Sequence, residues 1–307
     1  ARRLARYRKT PSRWSLYFPN SLLAWFPMIQ PEPAGAVPGP LPGPVFVASD
    51  IHLGASTPNR EAAFVSWLRW AAPQAGALVI NGDLFDFWYE YRTTVPRGHT
   101  RVLGILQGLA DQGLPILVMG GNHDWWGGDF LTREIGVEFL QDPVRRRLAG
   151  WHALIAHGDG LGRGDLGYRL LRLILRGRFT RWAFRWLHPD VGAAIAQRVS
   201  LTETRHGGPT EEDLGRSRAL EAWAVNELEA NPELELVLLG HTHMPNFREV
   251  APGRFYVNTG DWLHHFTFLR LEEGRPPRLY RWKDGEAVAM DPSSEGVTAE
   301  PVNGRTR

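Results

Sequence analysis

Five short apolar runs in this chain each lead into aspartate, asparagine or histidine. VFVAS precedes Asp50-Ile51-His52, ALVIN precedes Gly82-Asp83, and PILVM precedes Gly121-Asn122-His123-Asp124. ALIA precedes His157-Gly158-Asp159, and LVLL precedes Gly240-His241-Thr242-His243. Carboxylate, amide oxygen and neutral imidazole are ligands for divalent cations, and two cations roughly 3.5–4 Å apart need a carboxylate able to bridge them. The chain has no cysteine, which excludes a thiolate zinc site and favours a harder, oxygen-preferring ion such as Mn2+. A lone Asp-x-His or His-Gly-Asp is most often a turn aspartate or a satisfied core histidine. An ordered series of five is different, because packing requires no polar ligand at every strand exit.

The elements that must position these residues follow from the same runs. Each is short, apolar throughout and rich in β-branched residues or leucine, which suits a strand buried on both faces. Ligands at the ends of several such strands converge on one edge of a sheet. Helices are expected over Glu61–Ala71, Arg101–Gln112 and Thr210–Ala230, with Thr210 capping the last and Trp223 and Leu228 facing the core. At 307 residues and 43% hydrophobic content, the chain can bury one large α/β core plus an inserted cap. Lys and Arg number 35 against 33 Asp and Glu, a balance that does not point to nucleic acid. No aromatic-and-basic strand of an RNA-binding sheet is present, and no solenoid repeat.

Residues 1–44 read as a separate leader. Six basic residues lie between Arg2 and Arg13, followed by an apolar stretch from Leu22 to Ile29 that Pro27 interrupts, then a proline and glycine tract. No run is long enough to span a membrane. The composition predicts a flexible segment; the alternative is an interfacial contact through Trp14, Tyr17, Phe18, Trp25 and Phe26. The main domain is placed at 45–285 and a flexible tail at 286–307.

Between the fourth and fifth motifs, residues 160–208 form an insertion too long for a simple connection. Tyr168, Leu171 and Leu175 recur at helical spacing, as do Phe179, Trp182 and Trp186, with arginines alongside. Eight arginines against two aspartates, Asp165 and Asp190, occupy the stretch from Gly160 to Ser200. Taken singly, these aromatics would pack the insertion onto the body; taken together, an apolar and cationic lid suits a substrate with acyl chains and phosphates at an anionic membrane surface.

The pattern D-x-H, G-D-x-x-D, G-N-H-D, H-G-x and G-H-x-H, running from Asp50 to His243, resembles the calcineurin-like metallophosphoesterase superfamily. The resemblance implies a four-layer α-β-β-α sandwich of two mixed sheets with flanking helices, here carrying an inserted helical lid. It implies one metal held by Asp50, His52, Asp83 and His243 and another held by Asp83, Asn122, His157 and His241, with Asp83 bridging. A water shared by the cations would be the nucleophile, with no covalent enzyme intermediate. His123, not a ligand in the motif, would protonate the leaving oxygen or, as imidazolium, stabilise phosphoryl charge. Asp86 would orient it. Asp124 and Asp159 are expected to fix their turns. His188, His264 and His265 fall outside the motif set, although His264 follows Gly260-Asp261-Trp262 near the site edge.

The stretch HGDGLGRGDLGYRLLRLILRG, with RWLHPDVG and IAQRVS after it, resembles the lid of the UDP-2,3-diacylglucosamine diphosphatases of lipid A synthesis. LFDFWY after Gly82-Asp83, Trp125-Trp126 and Asn258-Thr259-Gly260-Asp261-Trp262 agree, so the similarity spans about Val45 to Trp282. It implies manganese-dependent attack at the α-phosphorus of UDP-2,3-diacylglucosamine, giving UMP and 2,3-diacylglucosamine 1-phosphate. Asp165 and Tyr168 meet the lid motif D-x-x-Y and would touch the head group; Ser200, Arg205 and His241 are further expected substrate contacts. The chain departs from many members in carrying His123 where they have Arg and Asp86 where they have Glu. It also has Thr204 and Gly207 where their later lid pattern has Asn and Lys.

The expectation is therefore a dinuclear hydrolase bound peripherally to the cytoplasmic face of the membrane, without nucleic-acid or protein partners. The alternative is a phosphodiesterase or phosphomonoesterase of the same superfamily with another lipid or nucleotide substrate. A nuclease would want an open basic groove, and a metal-free scaffold would have lost ligands that this chain keeps.

Overall fold

A computed structural model describes residues 39–55, 57–162, 172–199 and 210–290. The first sheet has four parallel strands, β1 (Val45–Ala48), β2 (Ala77–Asn81), β3 (Ile116–Met119) and β4 (Glu138–Leu140). Antiparallel strands β10 (Thr267–Glu272), β11 (Arg275–Lys283) and β12 (Glu286–Ala289) extend it beyond β1 to seven. The second sheet has the order β5 (Val144–Leu148), β6 (Trp151–Ile155), β7 (Leu236–Leu239), β9 (Arg254–Asn258), β8 (Asn246–Ala251), with β6, β7 and β9 parallel.

Alternation along the strands explains why these runs are apolar throughout. Val45, Val47, Ala77, Val79, Leu117 and Met119 share one core with Ala153, Ile155, Leu236, Leu238 and Val257 of the other sheet. Their neighbours Phe46, Ala48, Leu78, Ile80, Ile116 and Val118 turn the opposite way, onto α1 (Pro58–Ala71) and α2 (Thr100–Asp111) through Phe64, Trp67, Leu68, Val102 and Leu106. A strand covered on both faces has no position for a polar residue until it ends. On the far side, Leu154, Val237, Leu239 and Tyr256 pack on Leu220, Ala224 and Leu228 of α6 (Glu211–Ala230), with Trp223 partly buried against them. The result is the expected α-β-β-α sandwich. Thr210 caps α6: its hydroxyl accepts from Asp213 N at 3.2 Å while the Asp213 carboxylate accepts from Thr210 N at 3.0 Å, a reciprocal box worth about 1 kcal/mol.

Hydrogen bonds stitch the sheets together at the edge where the parallel strands end. Asn81 Nδ2 donates to Ala156 O at 2.9 Å, and the hydroxyls of Ser49 and Thr259 lie 2.7 Å apart. Within the insertion, the structure contains helical turns at 172–176 and two helices, α4 (Arg178–Arg185) and α5 (Pro189–Val199). A short helix α3 (Asp129–Arg133) follows the third motif. No described helix is long and apolar enough to cross a membrane.

Candidate active site

All seven residues expected to bind metal come together at the common edge, beyond β1, β2, β3, β6 and β7. Among the described residues, eight non-glycine residues have positive φ, and five are Asp50, His52, Asp83, His241 and His243. Aspartate and histidine enter this region more readily than most residues, yet it is strained backbone, of about 1–3 kcal/mol per residue, held by what surrounds it. Here the holding groups are the buried strand ends and a net of backbone bonds. Asp50 N donates to Gly82 O at 3.0 Å, and His52 N to Asp83 O at 3.0 Å.

One group of donor atoms comprises Asp50, His52 and His243. Nε2 of His52 and Nε2 of His243 lie 3.2 Å apart, and the latter is 3.4 Å from Asp50 Oδ1. The other side is built on Asn122, whose Oδ1 lies 2.9 Å from His241 Nδ1 and 3.2 Å from His157 Nε2. Asp83 stands between them: its Oδ2 is 3.2 Å from His157 Nε2 and 3.7 Å from His52 Nε2. Asp50 joins both sides, grouping with Asp83 and His157 as well. Buried imidazole nitrogens and carboxylate oxygens crowded to this degree, with no thiolate, are the donor set of a dinuclear divalent-metal centre.

Electrostatics agrees. Burial lowers the pKa of His52 and His241, keeping both rings neutral, the form that binds metal. Burial opposes ionisation of Asp83 too, but the surrounding histidines outweigh it and hold its carboxyl well below the usual range. Burial would also lower His157; the Asp83 carboxylate instead carries it up to about 10, so a cation entering here displaces a proton.

Two glycines are needed for so close an assembly. A Cβ on Gly82, whose φ is +91°, would sit 2.1 Å from His157 Nδ1, and one on Gly121 would sit 2.1 Å from Asp83 Oδ1. Asp124 has the structural role expected of it. Its carboxylate accepts from Gly121 N at 2.7 Å and Leu84 N at 2.7 Å, tying the second motif to the third. Burial, reinforced by Asp83, pushes this carboxyl up to about 7.

His123 sits at the rim, half-buried, its backbone N donating to Asp83 Oδ1 at 2.9 Å. Asp86 lies behind it and meets it through the backbone. His123 Nδ1 donates to the Asp86 backbone carbonyl at 2.7 Å, whereas the Asp86 carboxylate is 3.6 Å from that nitrogen and 3.3 Å from His52 Nδ1. His123 also groups with His52 and Asp83 as a possible metal donor.

Asp159 anchors the lid. Its carboxylate pairs with Arg172 Nε at 3.1 Å and Arg176 Nη2 at 2.8 Å, and Arg172 donates to its carbonyl at 2.6 Å. Phe184 of α4 completes the seam, with ring centroids 4.7 Å from Tyr89 and 4.9 Å from Trp126, while Arg176 lies over Trp125 at 4.6 Å. Phe179, Trp182 and Trp186 do not join it: Phe179 and Trp186 are 76% and 77% exposed. Eight of the nine exposed large apolar residues among the described ones lie between Leu173 and Ile195. Asp165, Tyr168, Ser200 and Arg205 lie outside the described residues, as does the leader up to residue 38.

Reading the motifs did not assign Asp261 a role. It is fully buried, 3.5 Å from His243 Nδ1 and 3.1 Å from His265 Nδ1, and these partners hold its carboxyl well below the usual range although burial opposes this. The signal was available: Asp261 follows the end of β9, one more apolar run, RFYVN, leading into polar residues. His264 is exposed and donates its backbone N to Asp261 Oδ1 at 3.0 Å.

Comparison with known proteins bears on the whole assembly. The family described as calcineurin-like phosphoesterase matches residues 43–245. A protein of Aeromonas hydrophila named UDP-2,3-diacylglucosamine hydrolase is 33% identical over 233 residues, covering 74% of this chain and 93% of its own. One of the same name from Porphyromonas gingivalis is 29% identical over 242 residues, covering 73% and 92%. A third, from Aeromonas salmonicida, is 31% identical over 245 residues, covering 75% and 93%.

Proposed function

The chain belongs to the calcineurin-like phosphoesterase family of metal-dependent hydrolases, and on that premise we propose that it hydrolyses the pyrophosphate of UDP-2,3-diacylglucosamine at the α-phosphorus. The products are UMP and 2,3-diacylglucosamine 1-phosphate, a step of lipid A synthesis, performed at the cytoplasmic membrane surface by a peripherally bound enzyme. The observation that carries this reading is the lid. It is pinned by Arg172 and Arg176 to the aspartate that follows His157, and it presents apolar and cationic side chains together. Such a surface suits acyl chains and phosphates in one ligand. The relatives of that name, matched over more than nine-tenths of their length, support the same substrate.

In this reading Asp50, His52, Asp83 and His243 would hold one cation, and Asn122, His157 and His241 would hold the other with Asp83 shared between them; Mn2+ suits the donor set. When bound, the pair would supply Lewis acidity, making a water more acidic and offsetting charge on the phosphoryl oxygens. The chain's own residues do the rest. His123 has its Nδ1–H committed to the Asp86 carbonyl, so Nε2 carries a proton only in the imidazolium, which would deliver that proton to the leaving oxygen or hold its charge against the phosphoryl oxygens. The Asp83 and Asp124 contacts fix the loop that carries it. Asp165, Tyr168, Ser200, Arg205 and His241 would contact the substrate.

The test is a mass spectrum of products after incubating the protein with Mn2+ and UDP-2,3-diacylglucosamine in oxygen-18 water. Label in UMP beside unlabelled acyl-glucosamine 1-phosphate is the expected result. Intact substrate, from a preparation that still hydrolyses a simple phosphodiester, would move the assignment to a family phosphodiesterase with another lipid or nucleotide substrate. The presence of His123 and Asp86, where many diphosphatases have Arg and Glu, favours that second reading.

A further inference from the structure

Four histidines of the cluster turn Nδ1 away from its centre and onto an oxygen, and the kind of oxygen divides them. Behind His157 and His123 stand neutral backbone carbonyls, of Asn81 at 3.0 Å and of Asp86 at 2.7 Å. Behind His52 and His243 stand carboxylates, Asp86 Oδ1 at 3.3 Å and Asp261 Oδ2 at 3.5 Å. These last two are also the rings whose Nε2 atoms face each other beside Asp50. His123 is not an expected ligand and also has the Asp86 carboxylate 3.6 Å from its Nδ1, so among the ligands the contrast lies between His52 and His243, each with a carboxylate behind it, and His157, with a carbonyl.

Asp261 is built for this role. Its Oδ1 is filled by His264 N at 3.0 Å, His265 N at 2.8 Å and His265 Nδ1 at 3.1 Å, which fixes the carboxylate plane. Its Oδ2 is buried without a hydrogen bond inside the usual distance, aimed at His243. A gap of 3.5 Å closes to a hydrogen bond with a small ring shift. A carboxylate behind an imidazole fixes the Nδ1–H tautomer, frees Nε2 for the metal and makes that nitrogen more basic; losing such a partner typically weakens metal binding by about 10- to 100-fold. A neutral carbonyl fixes the tautomer with less gain in basicity.

We propose that the two cation positions are unequal by construction, and that Asp261 is the positioning residue that makes the Asp50–His52–His243 position the tighter one. The inference rests on the two-cation reading of the site, not on the identity of the substrate.

Calorimetric titration of the chelator-stripped full chain with MnCl2 tests it. The wild type should show two binding steps. Asp261→Asn keeps the Oδ1 contacts but opposes an amide N–H to His243 Nδ1–H, and it should weaken the tighter step by about 10- to 100-fold, leaving the other in place. Asp261→Ala, which lets His243 keep its tautomer with solvent, should weaken it less than Asn does, although it is the larger structural change. His265→Ala removes one of the three Oδ1 contacts and keeps the two backbone ones, so it should weaken the tighter step less than Asp261→Asn does. An unaltered isotherm for Asp261→Asn, a loss confined to the weaker step, or a greater loss for Ala than for Asn would overturn the inference. Two equal steps in the wild type would overturn the inequality alone. No Mn2+ binding by the wild type would overturn the two-cation reading, and the inference with it.

Discussion

The metal-ligand edge and the lid are built on opposite principles. Each ligand stands two to four residues beyond the end of a buried strand, so its position is set by two packed cores and cross-sheet bonds such as Asn81 to Ala156. The lid is held by one aspartate with two arginines and by an aromatic seam around Phe184, and it leaves Phe179, Trp182 and Trp186 in solvent. Chemistry that tolerates little displacement sits on the rigid part; selection among substrates sits on the part with the weaker attachment. Changes at the edge should therefore affect every substrate alike, and changes in the lid should separate substrates.

Breaking the edge should have the largest effect. His241→Ala removes a donor facing Asn122 and should lower turnover on lipid and on water-soluble phosphodiesters alike, by on the order of a thousandfold, with an unaltered circular dichroism spectrum. Substantial retained activity on either substrate would contradict the two-metal assignment.

The next effect separates the body from the lid by pH. His99, at the start of α2, is buried against Phe85 and Trp88, and burial lowers its pKa to about 4. The unfolded chain takes up this proton near pH 6.5 and the folded one only near 4, so the stability is complete above about 6.5 and is lost as pH falls toward 4. The loss is on the order of 3 kcal/mol. Denaturant titrations at pH 7 and 4.5 should show it in the wild type and in a Trp182→Ser, Trp186→Ser variant, and should show it much reduced in His99→Phe. Equal pH dependence in all three would remove His99 as the cause.

The same double lid variant should separate substrates. It should weaken kcat/KM for a long-chain diacyl substrate by about tenfold, from apolar area no longer buried on binding, and leave a soluble phosphodiester unchanged. An equal loss on both would return these residues to a packing role. Smallest is Asp159→Asn, which loosens the ion pairs at the base of the lid. Amide exchange over 172–185 should rise by a few-fold, corresponding to about 1 kcal/mol, with the global unfolding midpoint unmoved; a matching shift in that midpoint would place Asp159 in the core of the fold.

Much of this was legible in the chain itself. The runs VFVA, ALVIN, ILVM and LVLL could be read as strands covered on both faces because nothing but burial selects such composition, and the ligands stood where each run stopped. Thr210 could be read as a cap because Asp213 lies one helical turn beyond it. The seven-residue donor set was legible because aspartate, asparagine and histidine at successive strand exits have no packing reason to be there. Only the tertiary structure decided which atoms meet. It placed the Asp86 carbonyl closer than the carboxylate behind His123, and it put Asp261, which lies 18 residues further along the chain and beyond the end of β9, behind His243. It also turned Phe184 inward and Trp182 outward on one helix, where spacing alone had marked the outward set. The physical reason is that burial leaves its trace in local composition, whereas the partner of a polar atom is set by distances between segments far apart in sequence, which no local pattern encodes.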